Sequence, residues 1–220
     1  MKLFVDRFHA GKLLAEKLKD LIASKYLEDY KKDNIVVLGI PRGGVEVAYV
    51  IAKEFDLPLR VIIPRKIGAP FNEEFAIGAV TEDGEVLLNT EAMLVYNIPK
   101  EYLIKKVKEE MEEIKKRKEL YQGFKEEIPL KDKVVILVDD GIATGLTVKA
   151  ALNYIKKQNP KAIILAVPVL PADRVETFKK LVDDLVYVEA PIDFWAVGQF
   201  YQNFSQTSHE TVIRLLKDTR

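Results

Sequence analysis

The stretch VVILVDDGIATGLT, residues 134–147, decides the reading of the fold. Its first five residues are apolar and mostly β-branched, which predicts a short strand buried on both faces and central in a sheet. Two adjacent carboxylates, Asp139 and Asp140, follow at once. Then comes a turn with two glycines, Gly141 and Gly145, and two hydroxyls, Thr144 and Thr147, with a helix expected from Thr147 onward. Strand, small-residue turn and helix in that order form the repeating unit of a parallel α/β sheet.

The same alternation runs outward in both directions. Residues 8–30 carry Leu13, Leu14, Leu18, Leu21, Ile22 and Tyr26 at helical spacing. NIVVLGI (34–40) is predicted as a buried strand, PRGG (41–44) as a turn, and 45–55 as a helix. LRVIIP (59–64) reads as a strand stopped by Pro64, and 77–88 as two strands joined at Asp83-Gly84. Residues 100–121 predict a long amphipathic helix with Ile104, Val107, Met111, Ile114 and Tyr121 on its apolar side. AIILAVPV (162–169), a helix over 172–181, LVYVEA (185–190) and a last helix over 207–217 continue the series. The expectation is one α/β domain over 1–220, a mostly parallel twisted sheet flanked by helices. Ligands of such folds bind at the carboxyl ends of the strands, so the turns there are the places to search.

Composition narrows the chemistry. The 220 residues contain 34 Lys plus Arg and 34 Asp plus Glu, so formal charge is zero. That balance argues against a protein built to coat nucleic acid or an anionic membrane. With no cysteine, thiolate metal sites, disulfides and a cysteine nucleophile are excluded. His9 and His209 are the only histidines and are expected to be structural or solvated. No apolar run approaches the roughly 18 residues of a spanning helix. The first residues, MKLFVDRFHAGKLLAEKL, are charged throughout and lack a signal-peptide core, so a cytoplasmic protein is expected. Abundant Lys and Glu with few Asn and Gln lean towards a hot environment.

Three turns carry chemistry. In 139–147, backbone N–H groups at a helix start, with small residues allowing close approach, form an anion site. The neighbouring carboxylates would repel a phosphate; they suit a vicinal diol, a divalent cation, or both. A ribose 5-phosphate unit satisfies all of this, with its phosphate on Gly141, Ile142, Ala143, Thr144, Gly145, Leu146 and Thr147 and its hydroxyls on Asp139 and Asp140. The spacing fits neither an Asp-x-Asp phosphatase, a Gly-Lys-Ser/Thr loop, nor GxGxxG. In the second turn, Gly43 and Gly44 permit close backbone approach and Arg42 supplies a fixed positive charge. The third, PRKIGAPFNEEFAIGAV (64–80), places Arg65 and Lys66 after a strand in a loop expected to be mobile.

The 134–147 stretch resembles the phosphoribosyl-pyrophosphate (PRPP) motif of type I phosphoribosyltransferases: strand, two acids, and a small-residue loop ending Thr-Gly-x-Thr. GIPRGG (39–44) looks like the pyrophosphate loop of that superfamily, in which some members have a cis non-proline peptide, here Pro41–Arg42. Six segments together resemble a subgroup of bacterial and archaeal predicted phosphoribosyltransferases: 6–18, 39–48, 65–80, 115–123, 138–145 and 194–206. One departure is His209, where that subgroup usually carries an acid.

The resemblance implies Mg²⁺-dependent transfer of the phosphoribosyl group from PRPP to a nitrogen acceptor, with release of pyrophosphate. It assigns pyrophosphate to Arg42, Gly43, Gly44, Arg65 and Lys66, catalysis to Arg42, Lys66, Asp139 and Asp140, and Mg²⁺ to Asp139 and Asp140. The 6-oxopurine enzymes carry an aspartate where Ala143 stands, so hypoxanthine and guanine are disfavoured, while adenine, orotate, uracil or a non-nucleobase acceptor stays open. FWAVGQFYQNFSQ (194–206) reads equally as core packing or as a hood, with Phe194 and Trp195 against a planar acceptor. Arg117 and Tyr121 belong to a helix read mainly as packing. A homodimer is compatible, and nucleic acid and membrane are not expected partners. The competing reading is a non-catalytic sensor of PRPP or a nucleotide on the same fold.

Overall fold

The computed structural model describes residues 3–123 and 126–220. The chain divides into two compact units. The first comprises 1–61, 127–143 and 158–220, and the second 62–126 and 144–157.

The first unit is built on a five-stranded sheet whose neighbouring strands are all parallel. Its strands are β1 (Ile35–Gly39), β2 (Leu59–Val61), β6 (Val134–Val138), β7 (Ala162–Val169) and β8 (Asp184–Glu189), in the order β2-β1-β6-β7-β8. Strand β6 is the middle one, as its apolar composition predicts, and every residue in it is buried. Helices α1 (Arg7–Lys25), α2 (Leu27–Lys31), α3 (Gly43–Glu54), α7 (Val175–Lys179) and α8 (His209–Lys217) flank the sheet.

Helix α1 starts where the Asp6 carboxylate accepts the His9 N–H at 2.8 Å, a side-chain cap for an orphan donor. Its buried face is Ala10, Gly11, Leu14, Ala15, Leu18 and Ile22, one stripe at i, i+4 spacing. The helix expected over 8–30 is two helices, because Tyr26 leaves helical geometry (φ −121°, ψ 17°) and buries its ring. Helix α3 begins two residues earlier than expected and contains both glycines of PRGG. The segment 172–181 is a 3₁₀ turn followed by the short α7, not one helix.

The order of strands positions the site. From β1 the chain crosses to β2 on one side, while β6 lies on the other, in register from Ile35↔Val134 to Gly39↔Val138. The carboxyl ends of β1 and β6 therefore flank the point where strand order reverses, the crevice where open α/β sheets hold ligands. The segments entering it are PRGG and Asp139-Asp140.

The second unit is built on an antiparallel sheet of β3 (Arg65–Ala69), β4 (Asn72–Val80) and β5 (Val86–Leu88). With it go α4 (Thr90–Val95), α5 (Lys100–Gln122) and α6 (Leu146–Lys156). Most of 64–76, expected as a loop, is paired strand, with register shifts around Gly68, and 77–80 is strand as expected. The β2 strand ends at Val61, before Pro64. Helix α5 has its expected length, but Ile104 is exposed, and the buried positions are Glu110, Ile114 and Tyr121. No helix among the described residues is long and apolar enough to cross a membrane.

Candidate active site at the carboxyl ends of β1 and β6

Within the first unit the structure brings Arg42, Gly43, Gly44, Asp139 and Asp140 together. An ideal Cβ on Gly43 would clash with Oδ2 of Asp140, and one on Gly44 would lie 2.9 Å from both Cα and Oδ1 of Asp139. The two glycines are thus required by packing against the carboxylates, a tighter constraint than access for a ligand. The Ile40 N–H donates to the Val138 carbonyl at 2.9 Å and ties the two strand ends together. The Pro41–Arg42 peptide is cis. Arg42 occupies the cap position of α3, half-buried, and no described residue is bonded to its guanidinium.

The two carboxylates are not equivalent. Oδ1 of Asp139 accepts the Asp140 N–H at 2.8 Å. Oδ2 of Asp140 accepts Nε of Arg7 at 2.8 Å, an ion pair whose side chains are 8% and 16% exposed. Desolvation pushes the Asp139 carboxyl well above its usual range, and the Asp140 charge beside it pushes the same way. Desolvation also raises Asp140, against the pull of Arg7. The Tyr201 hydroxyl donates to the Asp140 carbonyl at 2.6 Å, and burial pushes its phenol up.

Arg7, Tyr201 and Glu46 escape the sequence reading. Arg7 lies in the first turn of α1, Tyr201 in the aromatic tail, and Glu46 on α3, bonded to Thr207. One signal for Arg7 exists: a cation at a helix N-terminus sits at the wrong end of the dipole, so it calls for an acid from elsewhere in the chain.

From Asp140 the chain runs into the expected turn. A Cβ on Gly141 would lie 2.5 Å from Val197 Cγ1. The Ile142 N–H donates to the Val169 carbonyl at 2.9 Å and its side chain is buried. Ile142 therefore shapes the turn, and its amide is not a free donor for an anion. Ala143 and Thr144 are exposed at the tip. Gly145, left-handed at φ 80°, ψ 5°, caps α6 without a side-chain hydrogen bond, and the first turn of that helix has no acid. Among the described residues its leading N–H groups have no side-chain acceptor, and Leu146 and Thr147 are half-buried beside them.

Arg65 and Lys66 lie on β3 in the second unit, and each has a carboxylate partner there. Nε of Arg65 donates to Glu110 at 2.8 Å and Nζ of Lys66 to Glu74 at 2.9 Å. Arg117 pairs with Glu113 at 2.7 Å and Tyr121 is buried, both roles within α5 packing. His9 accepts the Val5 N–H on Nδ1, a local structural role, and His209 is half-buried at the start of α8.

The aromatic tail takes the core-packing part of its two expected readings through Phe200 and Tyr201. Phe200 and Tyr201 are buried in a cluster with Phe4 and Val169, and the Phe194 ring packs 5.0 Å from Phe200. Trp195 is 90% exposed. Its turn is fixed by Gln199, whose Oε1 accepts the N–H groups of Trp195 at 2.6 Å and Ala196 at 3.0 Å.

A magnesium ion prefers oxygen ligands and keeps several of its own waters or substrate oxygens. Asp139 and Asp140 offer carboxylate oxygens, two of them already taken by N–H donors. Among the described residues no group of three or more His, Cys, Asp or Glu could hold a metal. The pair fits Mg²⁺ as a partial site that ligand oxygens complete.

A model of the phosphoribosyl transferase domain matches residues 5–204. "Putative phosphoribosyl transferase Rv0571c" of Mycobacterium tuberculosis H37Rv is 39% identical over 216 residues, and so is "Putative phosphoribosyl transferase MT0597" of strain CDC 1551. The alignment covers 98% of this chain and 47% of each relative, so the chain spans about half the length of the curated relatives it matches. The solved structure of TT1426 from Thermus thermophilus is 38% identical and covers 98% of both chains with a TM-score of 0.76. The chain belongs to the phosphoribosyl transferase domain family.

Proposed function

We propose that the chain acts as one phosphoribosyltransferase-like domain over 1–220, moving the phosphoribosyl group of PRPP to a nitrogen acceptor. The bond from ribose C1 to the pyrophosphate oxygen breaks, its electron pair leaves with pyrophosphate, and a C1–N bond forms as the acceptor loses its proton. The observation that carries this reading is the carboxylate pair at the switch point, sealed against Gly43 and Gly44 and leading directly into an uncapped helix N-terminus.

Asp139 and Asp140 accept the ribose hydroxyls. The turn from Gly141 to Thr147, with the exception of the Ile142 N–H that is bonded to Val169, grips the 5-phosphate through backbone donors and, being bonded throughout, positions rather than activates. Arg42, Gly43 and Gly44 face the pyrophosphate, where the guanidinium meets the negative charge that grows as the oxocarbenium-like transition state forms. Mg²⁺ on Asp139 and Asp140 would neutralise ribose and pyrophosphate oxygens when bound. Arg65 and Lys66 also serve pyrophosphate, at the cost of their pairs with Glu110 and Glu74. Phe194 and the outward Trp195 are the acceptor's stacking surface. Ala143 can neither exchange a proton nor accept a hydrogen bond, so the acceptor is not a 6-oxopurine.

The experiment is a turnover screen with PRPP, Mg²⁺ and a panel of adenine, uracil, orotate, hypoxanthine and guanine, following pyrophosphate release. The engaged state of Arg65 and Lys66 favours one second reading, a PRPP sensor without turnover. Calorimetric PRPP binding without pyrophosphate release under any acceptor is its signature, and absence of PRPP binding overturns both readings.

A further inference from the structure

Arg7 is 7% exposed, an unusual place for an arginine, and its guanidinium makes two hydrogen bonds and one ring contact. Nε donates to Oδ2 of Asp140 at 2.8 Å, Nη1 donates to the Ser205 carbonyl at 2.8 Å, and the Phe204 ring lies 4.1 Å from the guanidinium carbon. Main-chain bonds hold this arrangement in register. The N–H groups of Leu3 and Phe4 donate to the Phe200 carbonyl, that of Gln202 to Phe4, and that of Asn203 to Val5. The missing Cβ of Gly43 leaves the space that Asp140 Oδ2 and Arg7 Nε occupy.

The contact with Asp140 is single rather than a two-pronged fork: Nε alone donates to it, while Nη1 donates to Ser205. One carboxylate oxygen is therefore pinned, and among the described residues no other side chain is bonded to its twin. Plain stabilisation is a poor account of this arrangement. A buried ion pair gains little over apolar side chains of the same volume, since desolvating both charges offsets their attraction. What a pinned oxygen does provide is a fixed direction for its twin.

We propose that Arg7 is a positioning residue of the ribose site, holding Oδ2 of Asp140 so that Oδ1 is presented to one ribose hydroxyl. The inference rests on the reading of Asp139 and Asp140 as ribose acceptors. It assigns the joined N-terminal and 200–205 segments a part in substrate recognition that does not involve touching the substrate.

The test measures two ligands by calorimetry on the full chain: ribose 5-phosphate, which needs the carboxylates, and inorganic phosphate, which does not. The wild-type protein is expected to prefer ribose 5-phosphate. Arg7→Met, which keeps an apolar stem over Phe204, is expected to bind ribose 5-phosphate roughly ten- to a hundredfold more weakly, the worth of a charged hydrogen bond, with phosphate affinity unchanged. Arg7→Lys is expected to recover part of that loss, since an ammonium restores the charge but not both fixed bonds. Should Arg7→Met fail to fold, Phe204→Leu removes the ring beneath the guanidinium and must give a smaller loss of the same ribose-selective kind. A wild-type preference that survives in the variants overturns the inference alone, as does a parallel loss of both ligands. A wild-type protein with no preference overturns the ribose reading and the inference with it.

Discussion

Neutralising the two adjacent carboxylates one at a time is expected to move stability in opposite directions. Asp139→Asn keeps an oxygen that can accept the Asp140 N–H and removes a desolvated charge that its neighbour repels. Single stabilising substitutions commonly bring about 0.5–2 kcal/mol. For a chain of this size that is a rise in Tm of about 2–4 °C per kcal/mol. Asp140→Asn instead strands Arg7, whose side chain is 8% exposed. Breaking a fully buried pair from one side costs about 3–5 kcal/mol. Here the cost is smaller, about 1–3 kcal/mol, because Ser205, the Phe204 ring and the new amide oxygen still receive the guanidinium. Both variants are expected to lose ribose 5-phosphate affinity, so stability and binding separate in one variant and fall together in the other. Differential scanning calorimetry at pH 7 reads the first quantity and titration calorimetry the second. Equal shifts of the same sign would refute the claim that Arg7 makes the two acids inequivalent.

Gly44→Ala sets a helix-propensity gain of at most about 1 kcal/mol against overpacking of about 1–3 kcal/mol, because its new Cβ would meet backbone that cannot swing away. A lower Tm and weaker ribose 5-phosphate binding are expected; a more stable protein with intact binding would show that the strand end yields. A crystal grown in sulfate is expected to hold the anion at N–H groups within 143–147 and not at Ile142, whose amide is bonded to Val169, so an anion-free turn in the electron density speaks against the phosphate role. With Ala143 in place of an acid, hypoxanthine and guanine are expected to give negligible pyrophosphate release, and kcat/KM of about 10⁴ M⁻¹s⁻¹ or more for either would overturn that reading.

The parts of the fold legible in the sequence are those whose pattern is set locally. Strands β6 and β7 occupy the residues expected because a run of apolar, β-branched side chains buried on both faces has no other stable place in an α/β fold. The segment 64–76, which becomes β3 and the first half of β4, reads as a loop in sequence because it mixes charges with a glycine and two prolines. Only cross-strand partners such as Lys66↔Ala79 and Ile67↔Gly78 give that composition a sheet, and partners are not visible in a single chain read in order. The candidate site divides the same way. Asp139, Asp140 and the glycine turn are legible as contiguous residues whose chemistry conflicts with an ordinary strand end. Arg7 is not, since it meets Asp140 across 133 positions of sequence.

That conflict is the physical link between fold and site. Strand β6 is wholly buried and carries the strongest apolar signal in the chain, yet it ends in two carboxylates whose charged forms the surroundings disfavour. A sequence under pressure for stability alone would place neither acid there, because leaving a charge desolvated costs more than a surface ion pair returns. Arg7 pairs with Asp140 and leaves Asp139 without an ion pair of its own among the described residues. The deficit lies at the switch point, where strand order already opens a crevice. A ligand that brings hydroxyl donors, or a cation held by its own oxygens, supplies what the protein leaves unmet. Binding energy and the relief of Asp139 are then the same interaction, so the tighter the ribose is held, the larger the rise in Tm it should confer.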